Sequence, residues 1–252
     1  MNFQDKIVLV TGASRGIGRA IAKQFAQQGA KVAIHYHSNR VAADETLVDM
    51  GSSLHLLVKA DLKNPIQIKE LIKEVITFYG GIDILVNNAG VYELHNLEEV
   101  SYQQWQDYWQ RTLQTNLIGA ANLSYLAARY MMENGGGRIV NVSSRGAFRG
   151  EPYAPAYGAS KAGMNALGQS LAQILAPHNI FVGTVAPGWV ATDMAQELLD
   201  GPEGDEIKNQ SPLRRAATPD EVAHAVLFLA SEGAEYATGA ILDVNGASYL
   251  RS

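Results

Sequence analysis

The sequence predicts an α/β protein built on one doubly wound, seven-stranded parallel sheet with helices on both faces. Three observations carry that reading. Short apolar, β-branched runs alternate with segments of helical period along the whole chain. The first run passes through a glycine-rich turn directly into a helix. No linker, repeat or shift of composition divides the 252 residues, so residues 1–252 are expected to form a single domain.

Residues 6–11 (Lys-Ile-Val-Leu-Val-Thr) are the first strand, which ends in Gly12-Ala-Ser-Arg-Gly-Ile-Gly18. Ile17, Ile21 and Phe25 then recur at a spacing of four until Gly29, the pattern of a helix. Gly12 permits a tight reversal. Gly16 and Gly18 let a phosphate and the strand approach a helix N-terminus, whose free N–H groups and dipole attract anions. The spacing is Gly-x-x-x-Gly-x-Gly, not the general dinucleotide pattern Gly-x-Gly-x-x-Gly.

Residues 31–36 form the second strand. An acid at its end would bind a ribose 2′-hydroxyl, but the chain continues Tyr36-His37-Ser38-Asn39-Arg40. With Arg15 in the glycine turn, this neutral-to-cationic surface favours a 2′-phosphate, and so NADPH over NADH. His35 and His37 are expected on opposite faces of the strand, and no metal is expected.

Residues 54–60 are the third strand and lead to Asp61-Leu62. Asn64 as N-cap and Pro65 at the first helical position open a helix whose Ile68, Leu71, Ile72, Val75 and Tyr79 share a face up to Gly80. Strand four, residues 82–86, runs into Asn87-Asn-Ala-Gly90. Ser101 and Gln104 read as a capping box for one long helix through Trp105, Trp109 and Asn116 to about residue 132. Gly135-Gly-Gly137 ends it, and strand five, residues 138–143, delivers Ser144. After a helix ending near residue 176, strand six (residues 180–186) runs into Pro187-Gly188. Residues 197–210, acidic and without a period, read as a loop over the site within a substrate segment at about 189–215. Thr218 and Glu221 make another capping box, Val222, Val226 and Leu229 follow on its helix, and residues 239–244 close the sheet.

Tyr157 and Lys161 are four apart in an Ala/Gly-rich helical segment, so both side chains leave one face. A phenol with an ordinary pKa of about 10 is a poor proton donor or acceptor at neutral pH, and a neighbouring ammonium is expected to lower it. Arg145, Phe148 and Arg149, just after Ser144, can shape an anionic or aromatic subsite or can be plain loop residues.

A net charge of −5 with no basic block leaves no footprint for nucleic acid or anionic membrane. The absence of cysteine excludes a disulfide framework. Residues 1–10 lack the features of a signal peptide, and no apolar run approaches the ~20 residues that span a bilayer. A cytoplasmic protein is expected.

With Thr11-Gly-x-x-x-Gly-x-Gly18, Asn87-Asn-Ala-Gly90, Ser144, Tyr157-x-x-x-Lys161 and Pro187-Gly188 in this order, the chain resembles the short-chain dehydrogenases/reductases over essentially its whole length. Thirteen positions separate Ser144 from Tyr157, a spacing Ser143 does not have. The resemblance implies a Rossmann-like domain and makes Tyr157 the proton donor to a carbonyl oxygen. Lys161 would tune Tyr157 and hold the nicotinamide ribose, Ser144 would position the substrate oxygen, and Asn116 would bend its helix and hold a water. Gly12, Ser14, Arg15, Gly16, Ile17 and Gly18 would line the pyrophosphate and ribose, with Tyr36, His37 and Ser38 beside them. Asp61 and Leu62 would meet the adenine, Asn88 and Gly90 the middle of the cofactor, and Val190 and Thr192 the carboxamide, next to Pro187 and Gly188.

The overall pattern is similar to bacterial 3-oxoacyl-acyl-carrier-protein reductases, which implies a 3-oxoacyl thioester (carrier protein or CoA) or a related ketone as substrate. The two arginines with which those enzymes grip the acidic carrier fall at Gly135 and His178. A sugar or polyol dehydrogenase, and a non-catalytic nucleotide-sensing protein on the same fold, are the alternatives. Small residues from Ala156 to Ala172, with the apolar segment 241–250, suit two helix and tail interfaces of a homotetramer.

Overall fold

Side-chain alternation explains the sheet in the computed structural model, which describes residues 1–51 and 54–251. In chain order the elements are β1 (Ile7–Val10), α1 (Gly16–Gln27), β2 (Lys31–Tyr36), α2 (Arg40–Met50), β3 (Leu56–Lys59), α3 (Pro65–Tyr79), β4 (Ile84–Asn87) and α4 (Tyr102–Leu113). Then come α5 (Gly119–Glu133), β5 (Gly137–Val142), α6 (Gly146–Arg149), α7 (Pro155–Leu175), β6 (Ile180–Pro187), α8 (Asp193–Asp200), α9 (Gly204–Asn209), α10 (Pro219–Ala230) and β7 (Ile241–Val244). The seven strands lie in the order β3-β2-β1-β4-β5-β6-β7, every neighbouring pair parallel.

Successive residues of a strand point to opposite faces, and here both faces are apolar because both are covered. Val8, Val10, Val32, Ile34, Ile84, Val86, Val140 and Val142 pack on the side of α1 and α10, around Ile21, Phe25 and Val226. Leu9, Ala33, Leu85, Ile139 and Val182 pack on the side of α3, α5 and α7, around Leu71, Leu123 and Leu175. The sheet is the expected doubly wound, Rossmann-like one.

The caps form as their residues dictate. The Asn64 side chain accepts from the N–H groups of Ile66 and Gln67. Ser101 with Gln104, and Thr218 with Glu221, make complete capping boxes. Three expectations are corrected. The long helix from Ser101 is not continuous, because a π-helical turn at Gln114–Ile118 separates α4 from α5. Residues 197–210 are not a plain loop, since they contain the second half of α8 and all of α9. Ala195, Leu199 and Ile207 pack there with Trp189, but Gly201 and Pro202 cut the apolar period into pieces too short to show in the sequence. Helix α2 was not expected at all. Its Ala43, Leu47 and Met50 pack on the core, but Val41 and Val48 face solvent, so apolar residues ring the helix and no single stripe stands out in the sequence.

Candidate active site

The glycine turn after β1, the Asn87-Asn-Ala-Gly90 segment after β4, Ser144 after β5 and Pro187 at the end of β6 all lie at the carboxyl ends of the strands. Between β1 and β4 the strand order reverses direction, which opens a crevice in sheets of this kind. A cavity of about 780 Å³ occupies it.

Its floor is drawn tight by Thr11. The Thr11 hydroxyl donates to the Val86 carbonyl at 3.1 Å and accepts from the N–H groups of Asn88 and Ala89 at 2.9 and 3.0 Å. The Asn88 amide in turn donates to the carbonyls of Thr11 and Gly12 at 2.8 and 3.2 Å. A Cβ on Gly18 would lie 2.2 Å from the Gly12 carbonyl oxygen and 2.5 Å from the Asn88 amide nitrogen, so α1 starts where only glycine fits. Gly12 and Gly16 have φ of +63° and +54°, the left-handed region that glycine enters without strain. This cradle suits the pyrophosphate of a dinucleotide lying on the N-terminus of α1.

Of the residues singled out in the sequence, Gly12, Ser14, Arg15, Gly16, Ile17, Gly18, His37, Ser38, Asp61, Leu62, Asn88, Gly90, Ser144, Tyr157, Lys161, Pro187, Gly188, Val190 and Thr192 all line this cavity. Two do not. Tyr36 is buried, and its hydroxyl meets the Arg40 guanidinium at 3.3 Å while Arg40 also pairs with Asp44. Asn116 lies fully buried behind the wall, in the π-helical turn. The expectation that His35 and His37 face opposite ways is wrong. Residues two apart in an extended chain share a face, and both line the cavity. His35 uses both ring nitrogens: Nδ1 accepts from Gly12 N–H at 3.1 Å and Nε2 meets the Ala60 carbonyl at 3.1 Å. Burial lowers its pKa to about 4, which keeps it a neutral strut between the first three strands. His37 is 3.8 Å from Asp61, which also approaches Lys63 at 3.6 Å.

At the other end of the cavity, the first two turns of α7 present Tyr157 and Lys161. Lys161 Nζ donates to the Val142 carbonyl at 2.8 Å and lies 5.7 Å from the centre of the Tyr157 ring. Ser143 spends its hydroxyl on the Lys161 carbonyl at 3.2 Å, whereas Ser144 accepts from Gly146 N–H at 3.0 Å and hydrogen-bonds the Tyr157 phenol. Asn116 grips both sides of Val91, accepting from its N–H at 2.8 Å and donating to its carbonyl at 3.0 Å, and also donates to Ser160 Oγ at 3.1 Å. The extra residue of the π turn thus aims a buried amide at α7 and the loop after β4 together.

Lowering of the phenol by Lys161 is not what the site does. Desolvation pushes Tyr157 up to about 12, only partly opposed by the Ser144 hydrogen bond, with the charge of Glu151 adding to the rise. Burial lowers Lys161 to about 8. An enclosed site disfavours both charged forms, so a helical spacing of four does not by itself make a phenolate.

Tyr92 and Glu151 also line the site and carried no signal in the sequence. The Tyr92 ring stands edge-on to Tyr157, with centroids 5.0 Å apart. His95 fixes the same loop: its N–H donates to the Tyr153 carbonyl at 2.8 Å, and its Nε2 accepts from Ala156 N–H at 3.2 Å. Tyrosine and histidine in a polar loop look like surface residues until the fold brings α7 against them.

A family model described as Enoyl-(Acyl carrier protein) reductase matches residues 12–247. The chain belongs to the short-chain dehydrogenase/reductase family. Relatives of this short-chain dehydrogenase/reductase include the 3-oxoacyl-(acyl-carrier-protein) reductase of Vibrio cholerae, 39% identical over 252 residues that cover 99% of this chain and 100% of the relative. The reductase of the same name from Staphylococcus epidermidis is 36% identical over 248 residues, covering 98% and 100%. An uncharacterized oxidoreductase of Methylorubrum extorquens is 34% identical over 250 residues, covering 97% and 98%.

The Lys161 shift sets a pH dependence in the ligand-free protein. Its folded pKa of about 8 lies below the ordinary 10.5, so the unfolded chain binds more protons between these values and stability rises with pH across that window. Lys161→Met removes the penalty. The stability difference, Met variant minus wild type, should be largest below pH 8 and shrink towards pH 10.5, over a constant offset from the lost Val142 contact. Denaturant midpoints measured at a series of pH values read this slope, and a flat difference would show that Lys161 is not strained by burial.

Proposed function

We propose that this short-chain dehydrogenase/reductase reduces a ketone to an alcohol with NADPH, and that Tyr157, Ser144, Lys161 and Asn116 carry the reaction in one domain. The observation behind this reading is the convergence of two hydroxyl groups, Tyr157 and Ser144, on one wall of a cavity whose other arm is a glycine cradle. When bound, the nicotinamide supplies a hydride to the carbonyl carbon. Ser144 holds the substrate oxygen, and Tyr157 gives it a proton as negative charge develops there. A phenol near 12 holds its proton at neutral pH, the form that donates to a carbonyl oxygen. Lys161 holds the ribose, and Asn116 fixes the loop beside it.

The names of the relatives point to a 3-oxoacyl thioester on carrier protein, and the same chemistry would serve a 3-oxoacyl-CoA or a related ketone. Gly135 and His178 stand just before β5 and β6, at the end of the sheet away from the cavity, and offer no arginine to an acidic carrier. This favours a smaller substrate over one that must dock a carrier protein. No helix among the described residues is long and apolar enough to cross a membrane, and a cytoplasmic setting fits.

Tyr157→Phe keeps the ring but removes the proton, so ketone reduction should fall by at least about 10² while NADPH binding survives. Turnover near the wild-type rate would remove Tyr157 from the mechanism. Arg15, His37 and Ser38 line the cavity without an acid at the end of β2, which should favour NADPH by roughly 1–3 kcal/mol, the worth of charge-assisted hydrogen bonds to one phosphate. Titration of both reduced cofactors checks this, and equal or tighter NADH binding sinks it. The exposed Tyr125 on α5, Ile174 on α7 and Leu250 in the tail support a homotetramer. Sedimentation should give four times 27.2 kDa, and a monomer at micromolar concentration would refute it.

A further inference from the structure

Arg145 follows Ser144 and lies in the same cavity wall, yet it is only 3% exposed. A buried guanidinium is costly unless an anion neutralises it. Among the described residues no carboxylate lies within ion-pairing distance of Arg145. Its Nη2 donates to the Gln210 side chain, while its Nη1 is buried without a partner. Arg149 adds a second cation, 3.4 Å from the same Gln210 oxygen. The acid on this wall is Glu151; burial pushes its carboxyl upwards against the pull of Arg149 and Arg145, and it pairs with neither. Asp243, across a smaller cavity of about 150 Å³ that Arg145 also borders, gives its Oδ2 to Arg251 at 2.7 Å and keeps its Oδ1 buried without a partner, beyond ion-pairing reach of Arg145. Beside Ser144 two guanidiniums thus stand near one carboxyl group, and one buried N–H group of Arg145 has no partner.

From this we infer that Arg145 is an anion subsite, and that the ketone this protein reduces carries a carboxylate. The inference rests on the carbonyl-reductase reading and narrows its substrate to oxo acids. An uncharged ketone or thioester would leave Nη1 orphaned, whereas a carboxylate matches the planar fork of a guanidinium. Adjacent Cα atoms are about 3.8 Å apart, so a carbonyl held at Ser144 places the anion only a few bonds along the substrate.

The test compares 2-oxobutanoate, 3-oxobutanoate and 4-oxopentanoate with their ethyl esters, and includes 3-oxobutanoyl-CoA, following NADPH oxidation. At one chain length or more the acid should exceed its ester at least about tenfold in kcat/KM, the range of a hydrogen bond to a charged group. Arg145→Gln should lower that acid-to-ester ratio about tenfold or more. Arg145→Lys, which keeps the charge but not the fork, should retain part of it. Esters equal to or better than acids at all three lengths overturn the subsite, as does an unchanged ratio in Arg145→Gln, and Arg145 is then a strut for Gln210. Turnover of the thioester alone overturns the subsite and leaves the reductase reading standing. NADPH oxidation by none of the seven compounds sinks the reductase reading, and the subsite with it.

Discussion

The close approach of the β1–α1 turn to the end of β4 is the constraint on which the rest of the structure depends. Thr11 and Asn88 tie the two strand ends with four hydrogen bonds between 2.8 and 3.1 Å, counting those from Thr11 to Val86, from Asn88 and Ala89 to Thr11, and from the Asn88 amide to the Thr11 carbonyl. His35 adds a third strand to the same knot through the Gly12 N–H. The carbonyls of Thr11 and Gly12 and the N–H groups of Gly12, Asn88 and Ala89 are used in this way, while no side chain caps the N-terminus of α1, which leaves it free for an anion. A side chain at position 18 would force the turn and the strand end apart, and the crevice between β1 and β4 would lose its floor.

The Tyr157 end of the cavity is organised by a different kind of constraint, the cost of burying polar groups. Asn116 is wholly enclosed and satisfies its amide on Val91 and Ser160, so the loop after β4 and helix α7 move as one unit. Ser160 passes the connection on by donating to the Tyr157 carbonyl at 2.7 Å. The same enclosure holds Tyr157 protonated and makes Lys161 easier to deprotonate than a solvated lysine. Burial thus disfavours the charged forms of both groups.

Strand ends supply the chemistry common to this fold, whereas the segments after β5 and β6 shape what the cavity admits. The short helix α6 begins one residue after Arg145, and the turn between α9 and α10 returns Gln210 to meet that arginine. Trp189, Ala195 and Leu198 close the same side of the cavity from the α8 segment. Two stretches that are far apart in sequence therefore share one wall.

Much of this was legible in the sequence. Glycine positions, N-caps and apolar periods depend on local backbone geometry, so the strands, α1, α3, α10 and their capping residues can be read one segment at a time. The order Ser144, Tyr157, Lys161 marks the site because strand ends and one helical face bring those residues to a common place. Tertiary structure alone decided the rest. The apolar stripe of α2 is masked by the exposed Val41 and Val48, and the π turn at Asn116 is a change of hydrogen bonding without a signature in residue type. The proton affinity of Tyr157 depends on how completely the fold excludes water, which neither Lys161 nor a spacing of four reveals. Whether a buried arginine has a partner is likewise a question of which distant side chains arrive beside it, and for Arg145 the fold brings Gln210 and no acid within ion-pairing reach.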